Sequence, residues 1–62
     1  MQFTLPELRA RHKLSQEDVA KKLGISRQAY SNWEKNINSL TVAKLKELAK
    51  VLEVEPQDIF LG

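Results

Sequence analysis

Four times in this sequence an apolar residue is followed by serine or threonine and, four positions after that, by a second apolar residue. The instances are Phe3-Thr4 with Leu8, Leu14-Ser15 with Val19, Ile25-Ser26 with Tyr30, and Leu40-Thr41 with Leu45. A hydroxyl at the cap accepts a bond from a first-turn amide, while the apolar pair packs across the junction and fixes the angle of the incoming chain. Each instance therefore predicts a helix start. Glu7 and Asp18 stand three residues after the first two caps, where a carboxylate reaches back to complete a capping box. Pro6 is harmless in a first turn that lacks amide partners anyway.

The stops are less uniform. Gly24 supplies the positive φ that a helix end favours, and with Ser26 two residues later only a tight turn separates the second helix from the third. Leu45, Leu48, Ala49 and Leu52 share one face of an amphipathic fourth helix. A fifth start is weaker, because Glu55 is a poor cap, but Pro56 suits a first helical position and Val54 can pack on Ile59. It predicts a short fifth helix ending near Phe60. Residues 35–40 form the only long connection, in which Asn36 can take left-handed geometry. No run alternates apolar and polar residues over strand length. The prediction is an all-α, compact five-helix single domain over residues 1–62.

Such a domain has little to spare. At 62 residues, folding hides only about 60% of the unfolded surface. There is no cysteine and one histidine, so neither a disulfide nor a four-ligand zinc site can add stability. Apolar runs fall far short of the roughly 18 residues that span a bilayer, and no basic stretch precedes an apolar one at the N-terminus, so a cytoplasmic protein is expected. Residues 1–35 hold seven Lys/Arg against four Asp/Glu, whereas residues 36–62 hold three against four. That asymmetry suits a phosphate-facing surface and equally suits an ordinary solvated exterior.

Two helices joined by so short a turn cross steeply and need a small residue at the crossing, here Ala20. Val19 and Leu23 face inward from the first of them, Ile25 sits in the turn, and Tyr30 and Trp33 point back from the second. The stretch Ser15-Gln16-Glu17-Asp18-Val19-Ala20-Lys21-Lys22-Leu23-Gly24-Ile25-Ser26-Arg27-Gln28 resembles the helix-turn-helix of the phage repressor and Cro family, also called the XRE family. The likeness extends from Leu8-Arg9, through Trp33-Glu34, to Val54-Glu55-Pro56-Gln57-Asp58-Ile59-Phe60, nearly the whole chain.

The resemblance implies a motif over residues 16–35, with residues 27–35 entering the major groove of double-stranded DNA. Arg27, Gln28 and Asn32 match its base-reading positions, and their chemistry agrees: arginine donates two bonds to guanine, and glutamine or asparagine exchanges two with adenine. Gln16, Ser26, Ser31, Lys35, Asn36 and Asn38 fall at or near phosphate positions. Arg9 and Glu34 match a structural ion pair. Ile37 stands where relatives place a basic residue, and with Ile59, Phe60 and Leu61 it is a candidate self-association surface; equally, Ile37 and Phe60 merely close the core. A weak homodimer on a two-fold operator is implied, acting as a repressor or activator.

Tyr30 and Trp33 read as core rather than base-stacking residues, with the Tyr30 hydroxyl a side candidate for a phosphate at the rim. His12 reads as a surface residue, and Lys21 and Lys22 as a solvated face. Glu17 and Asp18 suit the helix dipole, and no catalytic site, cofactor, metal, membrane or small-molecule ligand is expected. Many relatives carry glycine where this chain has Asn36 and Glu53. Because Glu53 cannot take positive φ cheaply, the fourth helix is expected to differ at its end or to run a turn further. The competing reading is a protein-interaction module on the same fold, an antitoxin-like or coactivator-like adaptor. Met1 reads as a natural start, and the chain is short enough to be a fragment of a longer regulator.

Overall fold

A computed structural model describes residues 2–59. It contains four α-helices, α1 (Leu5–Arg11), α2 (Gln16–Leu23), α3 (Arg27–Lys35) and α4 (Val42–Val51), with 3-10 turns at Ile37–Ser39 and Pro56–Asp58. Every α-helix begins at a predicted cap: Thr4, Ser15, Ser26 and Thr41 accept from the amides of Glu7, Asp18, Ala29 and Lys44. In the two capping boxes the return bonds run from the Thr4 amide to Glu7 Oε1 at 2.8 Å and from the Ser15 amide to Asp18 Oδ2 at 2.9 Å. Those backbone bonds, helped by the cap hydroxyls, hold both carboxyls below their ordinary pKa, which keeps them ionised against the helix dipole.

Three helices end in one and the same closure. After α1 the Lys13 amide donates to the Ala10 carbonyl and the Leu14 amide to that of Arg9. Gly24 and Ile25 do the same onto Lys21 and Ala20, and Glu53 and Val54 onto Lys50 and Ala49. In each, the first of the two residues is left-handed, with φ of 55° at Lys13, 70° at Gly24 and 58° at Glu53. This is the Schellman arrangement, which satisfies carbonyls that the helix itself leaves without donors. The residue that seals each end, Leu14, Ile25 or Val54, is also the apolar residue just before the next cap. One side chain thus closes one element and staples the next.

Glu53 corrects the expectation for α4. The helix does not run on; it stops at Val51, and Glu53 accepts the strained geometry because the two closing bonds and the packing of Val54 outweigh a cost of roughly 1–2 kcal/mol. Glu53→Gly is therefore expected to raise stability by about 1 kcal/mol in a urea melt, although it removes the exposed carboxylate 3.4 Å from His12. His12 does more than sit at the surface. Its Nε2 lies 2.8 Å from the Leu52 carbonyl, which only accepts, so this nitrogen carries the proton and the ring ties the end of α1 to the end of α4.

The other junctions depart from expectation too. Asn36 is not left-handed, with φ −141° and ψ 83°. The chain turns there into the 3-10 turn because Ile37 packs against the core, and Ser39 bonds back to the Asn36 carbonyl through its amide at 3.0 Å and its hydroxyl at 2.8 Å. The expected fifth α-helix is a single 3-10 turn, Pro56–Asp58. It stops because Ile59 is extended and pairs in parallel with Phe3, whose amide donates to the Asp58 carbonyl at 2.7 Å. Phe60 lies outside the described residues.

The core gathers Leu5 and Leu8 from α1, Val19 and Ala20 from α2, Tyr30 from α3, Leu48, Ala49 and Leu52 from α4 and its cap, and Ile59. Ala20 is the small residue that α2 buries in this core, and Leu23, Ile25 and Trp33 are half-buried against the same core. No helix among the described residues is long and apolar enough to cross a membrane.

Candidate nucleic-acid interface

At about 100° per residue, Arg27, Ser31, Lys35, Gln28 and Asn32 occupy an arc of about 140° on α3. Tyr30 and Trp33 lie on the other side, their rings edge to face with centroids 6.2 Å apart, and they anchor α3 to the core. The turn through Gly24 and Ile25 fixes the start of α3, and Ser26 Oγ accepts from the Ala29 amide at 3.1 Å. All five side chains of the arc are exposed except that of Ser31, which is half-buried. They include two cations, two amides and no acid.

Gln28 and Asn32 act as a pair. Gln28 Nε2 donates to Asn32 Oδ1 at 3.2 Å, the i, i+4 spacing that brings side chains together on a helix. That leaves Gln28 with its carbonyl and one N–H, the acceptor and donor needed for the N6 and N7 edge of adenine.

A second cluster stands beside this face, at the junction of α1, α2 and α3. Arg9 Nε donates to Glu34 Oε2 at 2.6 Å, and Arg9 Nη2 to Glu34 Oε1 at 3.2 Å, so the ion pair is two-pronged. The two side chains are 20% and 9% exposed. Arg9 Nη1 also donates to the Leu14 carbonyl at 3.2 Å, and Gln16 Nε2 donates to Glu34 Oε1 at 2.9 Å. Burial pushes the Glu34 carboxyl up in pKa, but the bonds from Arg9, the neighbouring Tyr30 hydroxyl, the bond from Gln16 and the Arg9 charge, in that order, outweigh it and hold the group below its ordinary value. The Arg9 guanidinium is shifted up, chiefly by its bond to Glu34.

The Tyr30 hydroxyl is not at the rim. It is buried and makes no hydrogen bond, and burial first, with the neighbouring Glu34 carboxylate second, raises the phenol's pKa far above its ordinary value. A phosphate does not reach it there. Of the remaining positions, Gln16 is half-buried at the first position of α2, Lys35 is exposed at the last position of α3, and Asn36 and Asn38 are exposed just beyond. Ser26 is exposed at its cap.

Of the candidate self-association residues, Ile59 is 1% exposed inside the core, so it has no surface to offer a second copy. Ile37 is half-buried and packs against the core. Phe60 and Leu61 lie outside the described residues. The bond between Gln16 and Glu34 was not foreseen: its partners are 18 positions apart, and no local pattern links them.

A family model described as helix-turn-helix matches residues 7–59. A protein of Methanocaldococcus jannaschii named as an uncharacterized HTH-type transcriptional regulator is 41% identical over 61 residues, covering 98% of this chain and 92% of that protein. No solved structure gives a significant match. The match runs from Glu7 in α1 to Ile59 in the closing bridge and takes in both crossing helices, the Arg9–Glu34 pair and the amide-bearing face of α3, and on that extent the chain belongs to the XRE-type helix-turn-helix family.

Proposed function

We propose that this protein binds double-stranded DNA sequence-specifically and regulates transcription, with α3 in the major groove and the first turn of α2 against the backbone. The observation that carries this reading is the exposed arc of α3, on which Arg27, Gln28 and Asn32 stand together while Tyr30 and Trp33 hold the helix from behind. An α-helix about 10–12 Å across fits a groove about 12 Å wide, and its leading residues then meet base edges. Membership of the helix-turn-helix family and the likeness to a protein named as a transcriptional regulator support the same reading. The protein acts in the cytoplasm on DNA, as a repressor, two copies binding half-sites about one helical turn apart.

Within this reading Arg27, Gln28 and Asn32 read bases. Gln16, Ser26, Ser31, Lys35, Asn36 and Asn38 hold phosphates. Selection from a random duplex pool at near-physiological salt tests the reading, because enrichment of an inverted repeat separates a reader from a merely basic protein. On the selected duplex, Arg27→Ala and Gln28→Ala are each expected to relax preference at one or two base pairs by about 1–3 kcal/mol. Lys35→Ala is expected to weaken every duplex alike and to lower the salt slope by about one. Equal losses on all duplexes from all three variants would sink the division into base readers and phosphate holders.

A further inference from the structure

Gln16 Nε2 faces an atom that can only accept. Glu34 is an ionised carboxylate, and its Oε1 takes the Gln16 N–H at 2.9 Å as well as Arg9 Nη2 at 3.2 Å. A primary amide has two N–H donors on one side and a carbonyl on the other. Contact with a carboxylate therefore decides which way round the amide sits, since the reversed amide would set its carbonyl oxygen against the Glu34 oxygen. A DNA phosphate oxygen is likewise an acceptor. An amide serving both must give one hydrogen to each, and the Glu34 bond holds Gln16 in the orientation that does so.

We propose that Glu34 is a positioning residue for DNA: it fixes the Gln16 amide with one N–H on its own carboxylate and the second directed to a backbone phosphate. The proposal rests on the DNA-binding reading above. Left alone, a half-buried glutamine samples several rotamers and both amide orientations, only some of which offer a donor to the phosphate, and ordering it on binding weakens the contact. With the amide set beforehand, that ordering is already done in the free protein.

Arg9 makes the arrangement tolerable. A carboxylate and a phosphate sharing one amide nitrogen repel each other, and the two-pronged Arg9 contact offsets the Glu34 charge. Arg9 is itself held by the carbonyl of Leu14, the residue before the Ser15 cap of α2. Gln16 is the first residue of α2 and Glu34 the last but one of α3. The cluster therefore sets the phosphate contact of one helix at a fixed position relative to the base-reading face of the other.

The test is a scan of the selected duplex in which each phosphate in turn is replaced by a neutral methylphosphonate. The Gln16 phosphate is the one whose replacement weakens the natural protein but not Gln16→Ala, a variant expected to bind up to about tenfold more weakly. Arg9→Met with Glu34→Met removes the ion pair without leaving a lone charge, which protects the fold. If its melt shows that it does not fold, Glu34→Leu, which likewise offers Gln16 no acceptor and leaves only the more exposed partner Arg9 unpaired, takes its place with the same expectation. The proposal requires that the effect of this one phosphate shrink in the variant while the other phosphates keep theirs, and that adding Gln16→Ala cost less there than it does in the natural protein. An undiminished effect at that phosphate overturns it, and so does a uniform fall at all phosphates, which would mark a purely structural pair. A scan in which Gln16→Ala silences no phosphate removes the Gln16 contact, and the proposal with it, while leaving DNA binding intact. A protein that enriches no duplex at all fails at the earlier reading instead.

Discussion

Leu48→Ala is expected to remove about 2–5 kcal/mol of folding stability. For a 62-residue chain the whole stability is on the order of 3–9 kcal/mol, so the variant should lose from about a fifth to all of it. Leu48 is 0% exposed in the middle of α4. The lost carbons leave a cavity in a core of nine buried residues among those described, and no disulfide offsets the loss. Val42, on the same helix and 69% exposed, is the control: Val42→Ala should change stability by no more than about 0.5 kcal/mol. Urea melts followed by helix content measure both, and near-equal effects would mean that α4 does not carry the core.

Arg9→Met is expected to cost about 3 kcal/mol, because it strands a carboxylate whose side chain is only 9% exposed. The pH dependence separates charge from packing. With its folded pKa held below the ordinary 4.5, Glu34 contributes stability that is present above that value and lost as pH falls through the folded pKa. Remove Arg9, and burial is opposed only by the Tyr30 hydroxyl and the Gln16 bond, so the folded pKa moves up. Acidification then neutralises a carboxylate that has lost its charged partner, and it takes less stability from the variant than from the natural protein. Thermal melts of both proteins from neutral pH down to about 3 should therefore converge on the acid side. A gap that stays constant with pH would assign the effect of Arg9 to its packing alone.

What was legible in the sequence is what is decided within a few residues. The caps at Thr4, Ser15, Ser26 and Thr41 depend on one hydroxyl and a first-turn amide, and all four helices start where they predict. The stops were read from glycine, which found Gly24 but not Lys13 or Glu53, where closing bonds and an apolar anchor impose the left-handed geometry on residues that resist it. A signal was available: a residue, then an apolar residue, then a cap recurs at Lys13-Leu14-Ser15 and Glu53-Val54-Glu55 in the register of Gly24-Ile25-Ser26. The closing 3-10 turn and the buried Tyr30 hydroxyl depend on partners across the fold, so nothing local could reveal them. In the site, positions came from resemblance and side-chain chemistry, whereas the Gln16–Glu34 bond that joins two of those positions is a product of tertiary structure.

The pairing of Phe3 with Ile59 brings the incoming and outgoing chain to one point and runs them side by side in the same direction. Because the two segments run the same way, opposing pulls along the chain at Phe3 and Ile59 would slide them past each other and load the Phe3–Asp58 bond in shear instead of peeling it open. The bridge is therefore a mechanical clasp on the helices, the reading face of α3 among them, that lie between its two sides.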